Sequence, residues 1–145
     1  LQDAEGDLMF RSPESVLWNR LISDASVTQY VGHKIYPHIA QASDEFPFIV
    51  WSRGNISREL ALSGPMGVPT VSITYEIYAA TYFTVRKIAD AVRRSLDGYS
   101  GSFENTKVSI ARLAGESDDT VALEGSEVPI AYSVTLDFEV LWQEI

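Results

Sequence analysis

Over residues 132–142 the side chains alternate between two faces without a break. Tyr132, Val134, Leu136, Phe138, Val140 and Trp142 fall on one side, and Ser133, Thr135, Asp137, Glu139 and Leu141 on the other. A period of two sustained that long describes a strand with one buried and one wet face, and such a strand is stable only inside a larger sheet. Two further segments supply it. Val71, Ile73, Tyr75 and Ile77 alternate with Thr70, Ser72, Thr74 and Glu76, and Lys107–Leu113 alternates again. Phe46–Arg53 is rich in aromatic and β-branched residues on both sides, which predicts a strand with both faces at least partly covered.

Helices are marked by their ends. Ser12-Pro13-Glu14-Ser15 is a helix start, with Ser12 as N-cap, Pro13 where a missing N–H costs nothing, and Glu14 in the positive first turn. Val16, Leu17, Leu21, Ile22 and Ala25 then recur at helical spacing. A short turn over residues 26–31 ends at Gly32, and Lys34–Pro37 runs extended into a polar loop that closes at Asp44-Glu45. A second helix begins at Thr81 or Thr84, carries Val85, Ile88, Ala89, Val92 and Leu96 on one stripe, and stops at Gly98. Between the strands at 46–53 and 70–77, residues 54–67 are dense in turn formers. They predict a long projecting hairpin arm with its tip near Ser63-Gly64-Pro65. The expected fold is α+β: an antiparallel sheet of about four main strands with two helices packed on one face.

At 145 residues the chain fits one domain, expected over 12–145 with residues 1–11 as an N-terminal tail. Its apolar content of 46% is that of a globular protein, and no apolar stretch is long enough for a membrane-spanning helix, so a soluble chain without membrane partners is expected. Cysteine is absent, which removes disulfides, thiolate metal sites and a cysteine nucleophile. A net charge of −9 has the wrong sign for holding nucleic acid through its phosphates.

Catalytic patterns are weak. Gly98-Tyr99-Ser100-Gly101 approaches a nucleophile elbow but follows a helix instead of a strand, with the second glycine one position early. His33 and His38 lack the helical spacing that joins two imidazoles on one zinc. No phosphate-binding loop is present, and the adjacent carboxylates are of the kind common on solvated surfaces. No catalytic residue, metal or cofactor is expected. Two charged features stand out instead. Glu116, Asp118, Asp119, Glu124 and Glu127 lie in a segment without a base, read as a solvated loop or as an acidic channel or partner surface. Arg86, Lys87, Arg93 and Arg94 line the second helix and are candidates for pairing with a neighbouring subunit's acids.

The order of segments resembles the tail terminator, or tail completion, proteins of long-tailed bacteriophages and of phage-derived gene transfer particles. The resemblance covers residues 13–144. It is carried by Val31-Gly32-His33-Lys34-Ile35-Tyr36-Pro37, by Phe46-Pro47-Phe48-Ile49-Val50-Trp51 and by the Ser63-Gly64-Pro65 tip. It continues through Tyr78-Ala79-Ala80-Thr81-Tyr82 leading into Ile88–Arg93, the stop Leu96-Asp97-Gly98, and Tyr132-Ser133-Val134-Thr135-Leu136-Asp137-Phe138. Residues 1–11 and the acidic 115–127 segment have no counterpart in that pattern.

The resemblance implies a structural virion protein, not an enzyme, assembled in the host cytoplasm and placed at the head-proximal end of the tail. It would form a ring, usually of six copies, that caps the tail tube protein, meets a head–neck stopper or connector protein, and lets DNA pass without specific binding. The apolar Leu60, Leu62, Met66 and Val68, with Arg58, make the arm the expected subunit or tube contact. Two alternatives stand beside this reading: another neck or minor tail component, such as a head-side stopper, and a small acidic enzyme or ligand-binding domain built around His33, His38 and Trp51.

Overall fold

The computed structural model describes residues 12–37, 45–57, 60–61, 64–65, 69–122, 125 and 129–144, with the side chains of 55–57, 60–61, 64–65, 129 and 144 excepted. Chain order is α1 (Pro13–Ile22), α2 (Ala25–Val31), β1 (Ile35–Pro37), β2 (Phe48–Ser57), β3 (Leu60–Ala61), β4 (Gly64–Pro65), β5 (Thr70–Ala79), α3 (Tyr82–Leu96), β6 (Gly101–Phe103), β7 (Thr106–Ala122) and β8 (Pro129–Glu144). Six strands form one curled, mixed sheet in the order β1-β2-β5-β8-β7-β6, and β3 and β4 make a separate two-stranded pair.

The alternation that predicts β8 is what the structure uses. Val134, Leu136, Phe138, Val140 and Trp142 are buried, and across β5 so are Val71, Ile73, Tyr75 and Ile77. The register sets Ile73 opposite Phe138 and Tyr75 opposite Leu136, so the apolar rows of neighbouring strands share one face. Helix α3 lies across β5, β8 and β7 on that face, and α1 packs on α3, β6 and β7. The α3 stripe Val85, Ile88, Ala89, Val92 and Leu96 is fully enclosed between helix and sheet. Among the described residues no helix packs on the opposite face of the sheet, referred to below as the uncovered face.

The caps follow sequence chemistry. Ser12 Oγ accepts from the Ser15 amide, and Thr81 Oγ1 accepts from the Thr84 amide, which decides the start of α3 in favour of Thr81. Gly98 has φ +82° just past the end of α3, a conformation other residues adopt only with strain. From there its amide turns away from the helix to donate to Ala111 O at 2.7 Å, tying the helix exit to β7. Glu104 and Asn105 both have positive φ at the two-residue turn between β6 and β7, the geometry of a tight hairpin.

The sheet is larger than the four antiparallel strands expected and it is mixed. β1 pairs parallel with β2, Ile35 opposite Ile49, and β6 forms a short edge beside β7. Both added strands have three residues, too few to display a period. The turn expected over 26–31 is a third helix, α2, capped by Asp24 through the Ser26 amide. The largest correction concerns residues 115–122, expected as loop. They are the distal half of β7, paired with β8 as far as Ala122 opposite Pro129. Of the arm, β2 and β5 remain paired out to Ser57 and Thr70, and β3 pairs antiparallel with β4, Leu60 opposite Pro65 and Ala61 opposite Gly64. Arg58, Leu62, Met66 and Val68 lie outside the described residues, as do the side chain of Leu60, residues 1–11, His38, Glu124 and Glu127.

Candidate functional surface

Two of the charged sets singled out in the sequence meet in space. Register places Glu116 opposite Leu136 and Asp118 opposite Val134, so both carboxylates share the helix-side face of the sheet. There they reach the first turns of α3. Arg86 Nη1 donates to Glu116 Oε2 at 2.6 Å and to Asp118 Oδ1 at 3.1 Å, and its Nη2 lies 3.5 Å from Asp90 Oδ1. The acidic segment has no base of its own in sequence, but α3 supplies one across the fold. The Glu116 hydrogen bond holds the guanidinium still more firmly protonated, with the charges of Glu116, Asp118 and Asp90 adding to it.

Tyr82 completes this contact. Its hydroxyl donates to Asp118 Oδ2 at 3.0 Å and its ring stands edge-on to Tyr132 at 6.0 Å. The hydrogen bond to Asp118 and that residue's charge push the Tyr82 phenol above its ordinary value. Tyr82, Asp118, Asp119, Thr120 and Tyr132 surround an open notch of about 350 Å³. Beside it on α3, Phe83 is 79% exposed. Single exposed aromatics are ordinary, but Phe83 sits next to Tyr82 at 46%, and Ile130 on β8 is 45% exposed.

The other bases of α3 point elsewhere. Lys87 and Arg94 flank a second groove of about 450 Å³ between α2 and α3, floored by Tyr30, Asp90 and Ala91. Arg94 Nε donates to Asp90 O at 3.3 Å, and Arg93 lies 3.9 Å from the Asp90 carboxylate. These are solvent-facing pairs of small energetic weight. Arg86→Ala should therefore lower stability by less than about 1 kcal/mol despite its three carboxylate neighbours. Thermal melts should show the loss shrinking as salt approaches about 1 M.

On the uncovered face the rows run Phe48–Tyr78–Ser133–Asp119, Val50–Glu76–Thr135–Ser117, Ser52–Thr74–Asp137–Gly115 and Ser72–Glu139–Arg112. Small polar residues dominate these rows, with four carboxylates against one base, Arg112; Lys107, opposite Gln143, stands on the same face nearer the start of β7. Thr74 Oγ1 donates to Asp137 Oδ1 at 2.7 Å, and Tyr78 Oη donates to Glu76 Oε2 at 2.9 Å. Burial, then the Glu76 hydrogen bond, push the Tyr78 phenol up to about 12, with Asp119 adding to the shift. Phe46, Phe48 and Tyr78 close one corner as an aromatic row, Phe46 stacked on Phe48 and Tyr78 tilted against it.

Among the described residues no group of three or more His, Asp or Glu is placed to hold a metal ion. His33 is exposed, whereas Trp51 is packed in the core. The Gly98–Gly101 segment is the link from α3 into β6, with the Tyr99 ring beneath the Arg20 guanidinium at 5.0 Å.

Sequence reasoning also missed a buried charge. Glu14 is 3% exposed, and its Oε1 accepts from Arg53 Nη1 at 3.0 Å. Desolvation raises the Glu14 carboxyl above its ordinary value, more than Arg53 and the hydrogen bonds lower it. The helix-start pattern places Glu14 in the first turn and says nothing of its burial; the β2 register, which turns Arg53 to the helix side, brings the base that meets it.

Residues 15–142 match the family model described as "Tail completion protein gp17". The chain belongs to the tail completion protein gp17 family. The family is one of structural virion components. In fold the chain is similar to a chain in the solved structure "Virion of native gene transfer agent (GTA) particle", which superposes with a TM-score of 0.69 at 15% sequence identity, covering 88% of this chain and 91% of that one. No curated protein sequence matches.

Proposed function

We propose that this tail completion protein closes the head-proximal end of a finished tail tube as a ring of identical subunits, six being the expected number. The ring presents its far side to a neck protein and leaves a channel for DNA. The observation that carries the reading is the family match over residues 15–142, nearly the whole described domain. The likeness of the fold to a chain of a gene transfer agent virion supports it. In such a ring the face that repels passing phosphates best is the uncovered sheet face, where Glu76, Asp137 and Glu139 stand among serines and threonines. Glu116 and Asp118 suit that role less, because Arg86 neutralises much of their charge.

Native mass spectrometry over a range of concentrations, alone and with assembled tail tubes, tests the ring. A discrete species near six times 16.1 kDa, roughly 97 kDa, is expected either free or released from tube ends. Tubes assembled with the protein should stop growing and accept heads. Tubes that keep elongating and stay headless at saturating protein would overturn the capping role. Glu76→Gln with Glu139→Gln should leave capping intact while slowing DNA delivery; unchanged delivery would remove this face from the channel.

A further inference from the structure

Strand β7 is paired along its whole length on the β8 side, but on its other side only near its start. β6 covers Thr106–Val108, the amide and carbonyl of Ala111 are taken by Tyr99 and Gly98, and the Leu113 amide donates to the Asp97 carboxylate. From residue 114 to Ala122 no strand among the described residues lies on that side. An open edge offers N–H and C=O groups at every second residue and so templates another strand. The Thr120 amide has only the carboxylate of its neighbour Asp119 to cover it, at 2.7 Å.

The side chains along this edge say what kind of strand fits. On the helix side lie the Tyr82–Tyr132 notch and the exposed ring of Phe83, an apolar surface for alternate side chains. On the other side stands Asp119, which has no ion pair among the described residues, while Glu116 and Asp118 share one guanidinium. A basic, extended segment meets both demands. A second copy suits them less well. The chain carries −9, and many of its bases are already engaged: Arg20 on Tyr99, Lys34 on Glu45 O, Arg53 on Glu14, and Arg93 and Arg94 on Asp90.

We propose that the open edge of β7 over 115–122, with the adjoining aromatic notch, docks an extended Lys- or Arg-bearing segment of another protein as an added strand. Main-chain hydrogen bonds give the contact its register, apolar residues of the segment cover Phe83 and Tyr82, and a base on the alternate face meets Asp119. This contact does not depend on ring formation, and it would hold for a tail protein in any stoichiometry.

The probe is the capped octapeptide (Lys-Val)₄, titrated into the ¹⁵N-labelled full chain and followed amide by amide. Shifts should concentrate at residues 115–122, Tyr82 and Phe83. They should vanish when the peptide is N-methylated at alternate residues or replaced by (Glu-Val)₄. Asp119→Lys and Phe83→Ser should each weaken binding by about tenfold while the remaining amide spectrum stays that of the folded chain. Shifts spread equally over the Glu76 and Glu139 face, or indifferent to N-methylation, would overturn the edge as the site. Shifts at the same amides on raising the protein concentration without peptide would make a second copy the occupant and overturn the basic partner.

Discussion

Replacing Phe138 by alanine should lower stability by about 3–5 kcal/mol and the melting temperature by roughly 10–15 °C. Phe138 has no exposed surface and lies near the middle of β8, the strand flanked by β5 and β7 on either side. Its neighbours in register are Ile73 and Leu113, its ring meets Tyr75 edge-on at 5.8 Å, and α3 closes the layer above. Removing a ring from a site enclosed by two strands and a helix leaves a cavity that none of the three can collapse to fill. Leu141, half-buried on the opposite face of the same strand, is the control. Its alanine variant should cost no more than about 1 kcal/mol, because water can occupy the space vacated. Urea and thermal denaturation of the two variants measure the difference. Comparable losses at both positions would mean that the uncovered face is buried in solution.

That contrast also marks how much of the fold is legible in the chain. β5, β8 and α3 carry apolar residues at the period of their element for ten residues or more, so sequence alone places their inward faces correctly. β1 and β6 leave no such trace, since three residues cannot establish a period, and each exists because a neighbouring strand offers it an edge. The distal half of β7 fails for a different reason. Gly115–Thr120 contains glycine and three acids, residues depleted in strands, and its alternation is of one polar side chain with another. Here pairing with β8 overrides local propensity, and nothing in the segment itself announces it.

The charged surface was legible in composition but not in arrangement. The acids of 115–127 and the bases of α3 are both conspicuous in the sequence, yet they are separated by some thirty positions and appear as independent features. The fold brings Arg86 onto Glu116 and Asp118, so on the helix side the described part of the acidic segment is partly compensated, whereas Asp119 has no ion pair among the described residues. The uncovered acids of the sheet, Glu76, Asp137 and Glu139, looked in sequence like the wet side of ordinary strands. They become one surface only through the rows that align β5, β8 and β7.

Arg53→Ala should destabilise the protein by about 1–3 kcal/mol at neutral pH, and the loss should shrink as the solution is acidified. The variant removes the guanidinium that faces a carboxyl of 4% side-chain exposure, leaving Glu14 without that compensation between α1 and the sheet. Arg53 itself is 41% exposed, so its own desolvation is small and the effect falls below that of a fully enclosed ion pair. The pH dependence follows from Glu14. Its carboxyl is raised in the folded state, so between the ordinary value of 4.5 and the raised one the native chain holds the proton more tightly than the unfolded chain. The contribution of Glu14 to stability is therefore fully present below 4.5 and is lost as pH rises through the raised value. Deleting Arg53 removes an influence that lowers this value, pushes it higher and widens that window, so wild type and variant should diverge as pH rises and converge as Glu14 becomes protonated. Glu14→Gln keeps the shape without the charge, and in that background Arg53→Ala should cost little at any pH. Melting temperatures of the four proteins between about pH 4.5 and 8 give the coupling directly. A loss in Arg53→Ala that stays constant across that range would show that Arg53 acts through packing of its stem, with Glu14 compensated by other groups.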